Sequence, residues 1–297
     1  MGVFLVLLGG IFWAISGVLA EYLFKNNYSV DWVCFYRLLS TGLILIFLSF
    51  KAQKILVFTN LKESLSICMF GFFGLLLTQF GYFKAIYYTD AGTATMIQYC
   101  APLIIMLYLC FKNKKFPKLI EIFALILIIF ALFLIIFALF LLATKGDIEA
   151  VVLNYWGIFW AVIGAFGVAF YSLSAREVIL KYGLFWIMGW ASLFASFVFL
   201  LILQFDKGLI HYAFNLKAFF SMGGIVFIGT IGVFCLYLKG VEYIGALRAS
   251  MIASIEPVAA ALMSFLFLKT RYSLLDIFAF VLIILSVILN AKKTKVS

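Results

Sequence analysis

The sequence predicts an all-α integral membrane protein whose ten transmembrane helices divide into two inverted five-helix repeats. Three observations carry this: the composition, the spacing of the apolar runs and an internal repeat. Of 297 residues, 67% are hydrophobic and 11% charged, whereas a soluble domain is about half apolar and a quarter charged. No water-soluble core of this length hides that much apolar surface, so bilayer hydrocarbon has to be the solvent.

Runs of about 20 apolar residues span a bilayer as helices, and only a helix satisfies every backbone hydrogen bond within one segment. The expected spans are 3–24, 31–50, 64–87, 91–111, 118–143, 153–175, 185–204, 218–242, 246–268 and 273–291. The first run begins directly after Met1-Gly2-Val3, without a basic n-region. It therefore reads as a retained helix and not a cleaved signal peptide. The third and fourth runs, and the eighth and ninth, join tightly at Thr89–Asp90 and Ile244–Gly245. The fifth contains LIIFALF twice in tandem, at 127–133 and 134–140. A helix lengthened by those seven residues must tilt or protrude, and a neutral duplication on a lipid-facing helix is the expected meaning.

The repeat is clearest where YFKAIYYTDAGTATMIQYCAP (82–102) aligns without gaps onto YLKGVEYIGALRASMIASIEP (237–257). The same offset carries EIFALILII (121–129) onto DIFAFVLII (276–284), and GIFWAI (10–15) matches GIFWAV (157–162). Shared polar and proline positions (Lys84/Lys239, Glu121/Asp276, Pro102/Pro257) set this apart from chance matching of apolar letters. The halves are 1–146 and 147–297. Five helices per half is an odd number, so the second half enters the membrane upside down. Such inverted repeats commonly build a substrate site near the midplane, between the halves.

The net charge of +10 sits in short clusters between apolar runs, which argues against a nucleic-acid partner. Thirteen basic residues fall in segments on the side of the termini and six on the other. The positive-inside rule then puts both termini in the cytoplasm of a plasma membrane. The abundance of Lys, Ile and Phe agrees with a bacterial source. The five cysteines are scattered singly with no CxxC pair, and the single His211 precludes a histidine-based metal site, so buried thiols are expected and no metal. Neither GxGxxG nor a Walker A sequence occurs. No cofactor is expected, and work on a solute draws on a gradient or on the solute itself.

The chain resembles the EamA family of the drug/metabolite transporter superfamily over nearly its full length. The resemblance rests on Gly10-Ile11-Phe12-Trp13, Phe35-Tyr36-Arg37, the tract from Tyr82 to Pro102, and its copy ending in Glu256-Pro257. It implies a central cavity between the repeats and transport, often outward, of small molecules such as amino acids, amines or related metabolites. The partners expected are that solute, a coupling proton and membrane lipid. The rival classes are a lipid or nucleotide-sugar translocator, a non-transporting membrane module, and an intramembrane enzyme. The last needs clustered acids or a metal site, whereas the 12 acids here are spread one or two per loop.

A charge inside a membrane costs at least about 2.5–3.5 kcal/mol at the centre, so each one needs a reason. Glu256 lies about ten residues into the ninth span, near midplane at 1.5 Å per residue, and its counterpart in the first half is Ala101. It reads as a contact for a substrate amine, as a proton carrier, or as a structural acid paired to a base. Arg37 reads as a partner for a substrate carboxylate or for Glu256, or as a snorkelling side chain fixing its helix. Lys84 and Lys239 lie near span ends and read as snorkelling, and Glu21 and Glu242 as hydrated. Pro102 and Pro257 each remove a helix donor and mark paired hinges or static kinks. Aromatic and amide groups suited to a cavity wall are Trp13, Tyr36, Gln79, Tyr82, Gln98, Tyr99, Trp160, Tyr171, Trp190 and Tyr237. Gly71, Gly74, Gly164, Gly167, Gly229 and Gly232 are expected at close helix crossings.

Overall fold

The computed structural model describes residues 1–49, 60–88, 94, 97–144, 154–203, 216–268 and 274–291, and among these every regular element is helical. In chain order, α1 is Gly2–Lys25, α2 is Val30–Ser49 and α3 covers 61–88. Helix α4 is Ala101–Asn113, α5 Leu119–Thr144, α6 Tyr155–Tyr182 and α7 Leu184–Leu203. Helix α8 covers Leu216–Ile244, α9 covers 246–268 and α10 is Leu274–Ala291. Among the described residues, eight of these are long and apolar enough to cross a membrane, while α4 and α5 are described over shorter apolar stretches. The protein is a multi-pass membrane protein. The Thr89–Asp90 connection and His211 lie outside the described residues, as do most of the loop lysines.

The expected spans agree with the helices to within a few residues at most ends. Two differ more: the fourth span is expected from 91, whereas α4 begins at Ala101 and residues 91–93 and 95–96 lie outside the described ones, and α6 runs on to Tyr182, where Gly183 ends it at φ +81°. The extra turns carry Lys181 out to Glu63, on the first turn of α3, at 2.9 Å. Helix α5 holds 26 residues against 18 for α10, about 39 Å against about 27 Å at 1.5 Å per residue. The two pack along one another, and the Ser286 hydroxyl of α10 donates to the Ala124 carbonyl of α5 at 2.9 Å.

Two helices are locally widened. Phe70–Leu76 within α3 and Phe227–Gly232 within α8 are π-helical, and the repeat offset superposes the two stretches. Both contain two glycines. A π-turn makes i→i+5 bonds, and single turns of this kind inside α-helices are frequent at functional sites.

Close crossings between the two halves hold the fold together. Helix α2 packs along α7, α3 along α6, and α1 along both α8 and α9. The driving term is close van der Waals packing rather than burial from water, so small residues occupy the crossings. A Cβ on Gly71 would lie 2.6 Å from the Ala191 carbonyl oxygen of α7, and one on Gly167 would lie 2.6 Å from the Thr78 nitrogen of α3. Gly229 abuts Ser16 of α1, and Gly81 abuts Gly164, where an added Cβ would meet backbone at 2.7–2.9 Å. Gly81→Ala is therefore expected to lower stability by about 1–3 kcal/mol, read as a fall in the unfolding temperature of the purified protein. Gly223→Ala, at a glycine with nothing within 4 Å, leaves that temperature unchanged. Equal temperatures for the two variants would refute the crossing as described.

Candidate functional site

Pro102 and Pro257 each follow a break in the helical path. The chain turns at Tyr99–Cys100 before α4, and at Ser254 between Ala246–Ala253 and Ile255–Leu268 of α9. The repeat offset superposes these breaks. The cause is local: a proline has no N–H for the carbonyl four residues back. For Pro257 that carbonyl belongs to Ala253. It is not left bare, because the Tyr99 hydroxyl approaches it at 3.1 Å. The same hydroxyl lies 2.8 Å from Oε2 of Glu256. The broken helices thus meet through one tyrosine, at the place where the sequence puts its intramembrane acid.

A phenol has one proton and two lone pairs, so this trio has two arrangements. With Glu256 ionised, Tyr99 divides a single proton between the carboxylate and the Ala253 carbonyl. With Glu256 protonated, the acid donates to Tyr99 and Tyr99 donates wholly to Ala253. A proton on Glu256 is thereby tied to the hydrogen bonding of the helix break.

The trio borders a cavity of about 120 Å³ lined from α1, α2, α3, α4, α6, α8 and α9. Eight of the singled-out polar and aromatic residues line it: Trp13, Arg37, Gln79, Tyr82, Gln98, Tyr99, Tyr237 and Glu256, and Pro102 does as well. Tyr36, Trp160, Tyr171, Trp190 and Pro257 do not. Tyr36 stacks on Trp32 at 4.7 Å and Trp160 on Phe80 at 5.3 Å. Trp190 packs on Trp186 at 5.7 Å, and Tyr171 backs Tyr237 at 5.5 Å. The repeat therefore relates Trp13 to Trp160 in sequence, yet only Trp13 reaches the wall.

Arg37 is 5% exposed and does not pair with Glu256. Its Nε donates to Thr230 Oγ1 at 2.6 Å, and a terminal nitrogen donates to the Gly229 carbonyl at 2.7 Å. Thr230 in turn donates to the Ile225 carbonyl at 2.7 Å. The guanidinium thus caps the widened turn of α8 with two charge-assisted bonds and reaches the cavity, so snorkelling does not describe it. Its counterpart by the repeat is Ser192, fully buried on α7. One cation and one anion therefore share the cavity, each satisfied by neutral groups.

Other wall groups are fixed as well. Tyr237 shares a 3.0 Å hydrogen bond with Ser172 and stacks on Trp13 at 5.2 Å. Gln98 donates to the Thr78 carbonyl at 3.4 Å. The exception is Gln79, 6% exposed, whose amide nitrogen and oxygen are both buried with no hydrogen-bond partner among the described residues. An unpaired buried amide is costly, and this one is an unsatisfied polar group of the cavity wall. Outside the cavity, Lys84 pairs with Asp31 at 3.2 Å and Lys239 with Glu242 at 2.7 Å. The Glu21 side chain lies outside the described ones.

Sequence reasoning missed several lining residues, among them Ser16, Thr78, Phe83, Val168, Phe234 and Ser250. A signal existed for some: Ser16 and Gly17 lie three and four positions after Trp13, and Phe83 lies four after Gln79, each on the same helix face. Among the described residues no cluster of His, Cys, Asp and Glu suits a metal.

Multi-pass helices enclosing a largely apolar cavity with a few polar groups are the architecture a membrane transporter needs. The EamA-like transporter family matches the chain twice, over residues 1–137 and 155–291. An uncharacterised inner membrane transporter, YicL of Salmonella typhimurium strain LT2, is 32% identical over 291 residues, covering 97% of this chain and 94% of that one. A protein of known crystal structure superposes with a TM-score of 0.76 at 12% identity, over 98% of this chain and 96% of the other, which shows a shared fold. The chain belongs to the EamA-like transporter family.

Proposed function

We propose that this protein is a secondary transporter exporting small amine-bearing metabolites, amino acids among them, across a bacterial plasma membrane by alternating access. The observation that carries this is Glu256 in the cavity wall, facing a space it shares with Arg37 and the unsatisfied Gln79 amide. A carboxylate there complements an ammonium, a guanidinium complements a carboxylate, and an amide takes either a donor or an acceptor. Trp13, Tyr82 and Tyr237 supply the apolar remainder of the wall, as a small-molecule site requires.

The architecture that serves this function is ten transmembrane helices in two inverted five-helix repeats, 1–146 and 147–297, with both termini cytoplasmic. Several features support it. The family matches the chain once in each half. The widened turns of α3 and α8 and the breaks before Pro102 and Pro257 fall at equivalent positions. The packing also exchanges under the swap of halves: α1 against α8 and α9 mirrors α6 against α3 and α4, while α2–α7 and α5–α10 map onto themselves. Two such halves can rock about the cavity and expose it to one side at a time, with the helix breaks as the flexible points.

The test is a thermal-shift panel on the purified protein with amino acids, amines, carboxylates and sugars, followed by flux of any hit in proteoliposomes. A ligand that binds the folded state raises apparent stability, by about 2.7 kcal/mol at one hundred times its dissociation constant. Amine-bearing compounds are expected to score and sugars to fail. Stabilisation by sugars or carboxylates alone would refute the substrate class.

A further inference from the structure

A second hollow, away from the central cavity, opens where the α4–α5 loop meets the α8–α9 turn, and its volume is about 550 Å³. One wall is apolar, with Met106 and Leu109 from α4 and Ile244 and Leu247 flanking the α8–α9 turn. The other is polar, with Asn113, Lys115, Glu121 and Arg248. Arg248 is anchored at that wall by donating Nε and a terminal nitrogen to the Asn290 carbonyl at the end of α10. The acid is already engaged, because Glu121 Oε2 accepts the Lys118 backbone N–H at 3.0 Å.

The loop over the hollow is strongly basic and also apolar. Helix α4 ends at Lys114 in a left-handed turn, φ +51°. Lys112, Lys114, Lys115 and Lys118 are all exposed. Phe111 and Phe116 between them are 81% and 98% exposed, as is Leu119 at 85%. Phenyl rings left bare beside lysines are misplaced in water and well placed at a bilayer interface, where cations meet anionic headgroups and rings meet acyl chains.

We propose that this hollow binds an anionic phospholipid, its phosphate held between Lys115 and Arg248 and its chains laid against the apolar wall of α4 and the α8–α9 turn. The hollow is amphiphilic in the same sense as its ligand, and the basic loop supplies the charge complementarity. A soluble phosphate would leave the apolar wall and the exposed rings unused. The lipid bridges the two segments that the repeat offset does not superpose, a lysine-rich loop and a tight turn, so one headgroup spans both halves.

The experiment is native mass spectrometry of the full chain with equimolar phosphatidylglycerol and phosphatidylcholine. Wild type is expected to retain phosphatidylglycerol preferentially. The triple substitution Lys114→Gln, Lys115→Gln, Lys118→Gln, all at exposed positions, is expected to lower that preference on the order of tenfold without altering the unfolding temperature in phosphatidylcholine. Single Lys115→Gln carries the same test should the triple variant fold poorly. Millimolar inorganic phosphate is the second arm, and it is expected neither to displace the lipid nor to stabilise the protein. Equal retention of the two lipids, an unchanged preference in the variants, or full protection by phosphate alone would each overturn the proposal.

Discussion

Glu256→Gln is expected to weaken substrate affinity by about a factor of ten to one hundred and to lower flux accordingly, while leaving the protein folded. The substitution is close to isosteric and keeps a hydrogen-bonding group 2.8 Å from Tyr99, so the helix break at Ser254 retains its partner. What it removes is the negative charge. A lost charged contact in a desolvated site costs about 1.5–3 kcal/mol, which is about a factor of ten to one hundred in affinity. The pH response follows from the Tyr99 proton count. In wild type, protonating Glu256 removes the anion and turns the Tyr99 hydroxyl wholly to the Ala253 carbonyl, so flux should fall as Glu256 takes up its proton. The amide of the Glu256→Gln variant carries no titrating proton, and that response should flatten. The other ionisable groups at the cavity wall are Arg37, Tyr82, Tyr99 and Tyr237, cationic or phenolic, and they do not titrate near neutrality at their ordinary values. Wild-type flux and pH profile in Glu256→Gln would remove this residue from the mechanism and leave it a structural acid.

Arg37→Met is expected to be the most destabilising single change in the cavity wall. It strips two charge-assisted bonds from the widened turn of α8, to Thr230 and to the Gly229 carbonyl, and leaves that carbonyl buried. Loss of such bonds costs about 1.5–3 kcal/mol each, before any relaxation. Arg37→Lys should rescue only part of this, because one ammonium cannot reproduce a planar two-nitrogen contact. A double-mutant cycle of Arg37→Met with Thr230→Val isolates the contact. A coupling of about 1 kcal/mol or more is expected for groups 2.6 Å apart. Unchanged unfolding temperature in Arg37→Met, or no coupling, would refute the role given to it. Arg37 lies on α2, in the first half, and the turn it caps lies in the second, so a loss confined to stability with normal flux would separate anchoring from transport.

How much of this was legible in advance depended on range. Composition and run length sufficed for membrane helices, since a span needs about 20 apolar residues and no information about its neighbours. The proline breaks were legible for the same reason: Pro102 and Pro257 act on carbonyls four residues away. Glu256 stood out because a charge at midplane is rare whatever surrounds it. Arg37 was found but not its partners, because Thr230 lies 193 positions along the chain and nothing in its own helix distinguishes it. Trp160 and Trp190 looked as suitable as Trp13, and only the rotation of each helix about its axis turned them into packing instead of wall.

By itself, the sequence determined the solvent this chain lives in, the places where most of its helices start and break, the matching segments 82–102 and 237–257 and the residues too polar for lipid without cause. Those properties depend on hydropathy, chain geometry and local hydrogen bonding, which act over a few residues. Only the tertiary structure decided which polar residues meet. It brought Tyr99 to the carbonyl that Pro257 abandons, turned Arg37 toward a glycine-rich widened turn instead of toward Glu256, and left Gln79 without a partner among the described residues. The physical reason is that helix rotation and crossing distance are set by close packing of small residues between halves, a pairing that neither half encodes alone.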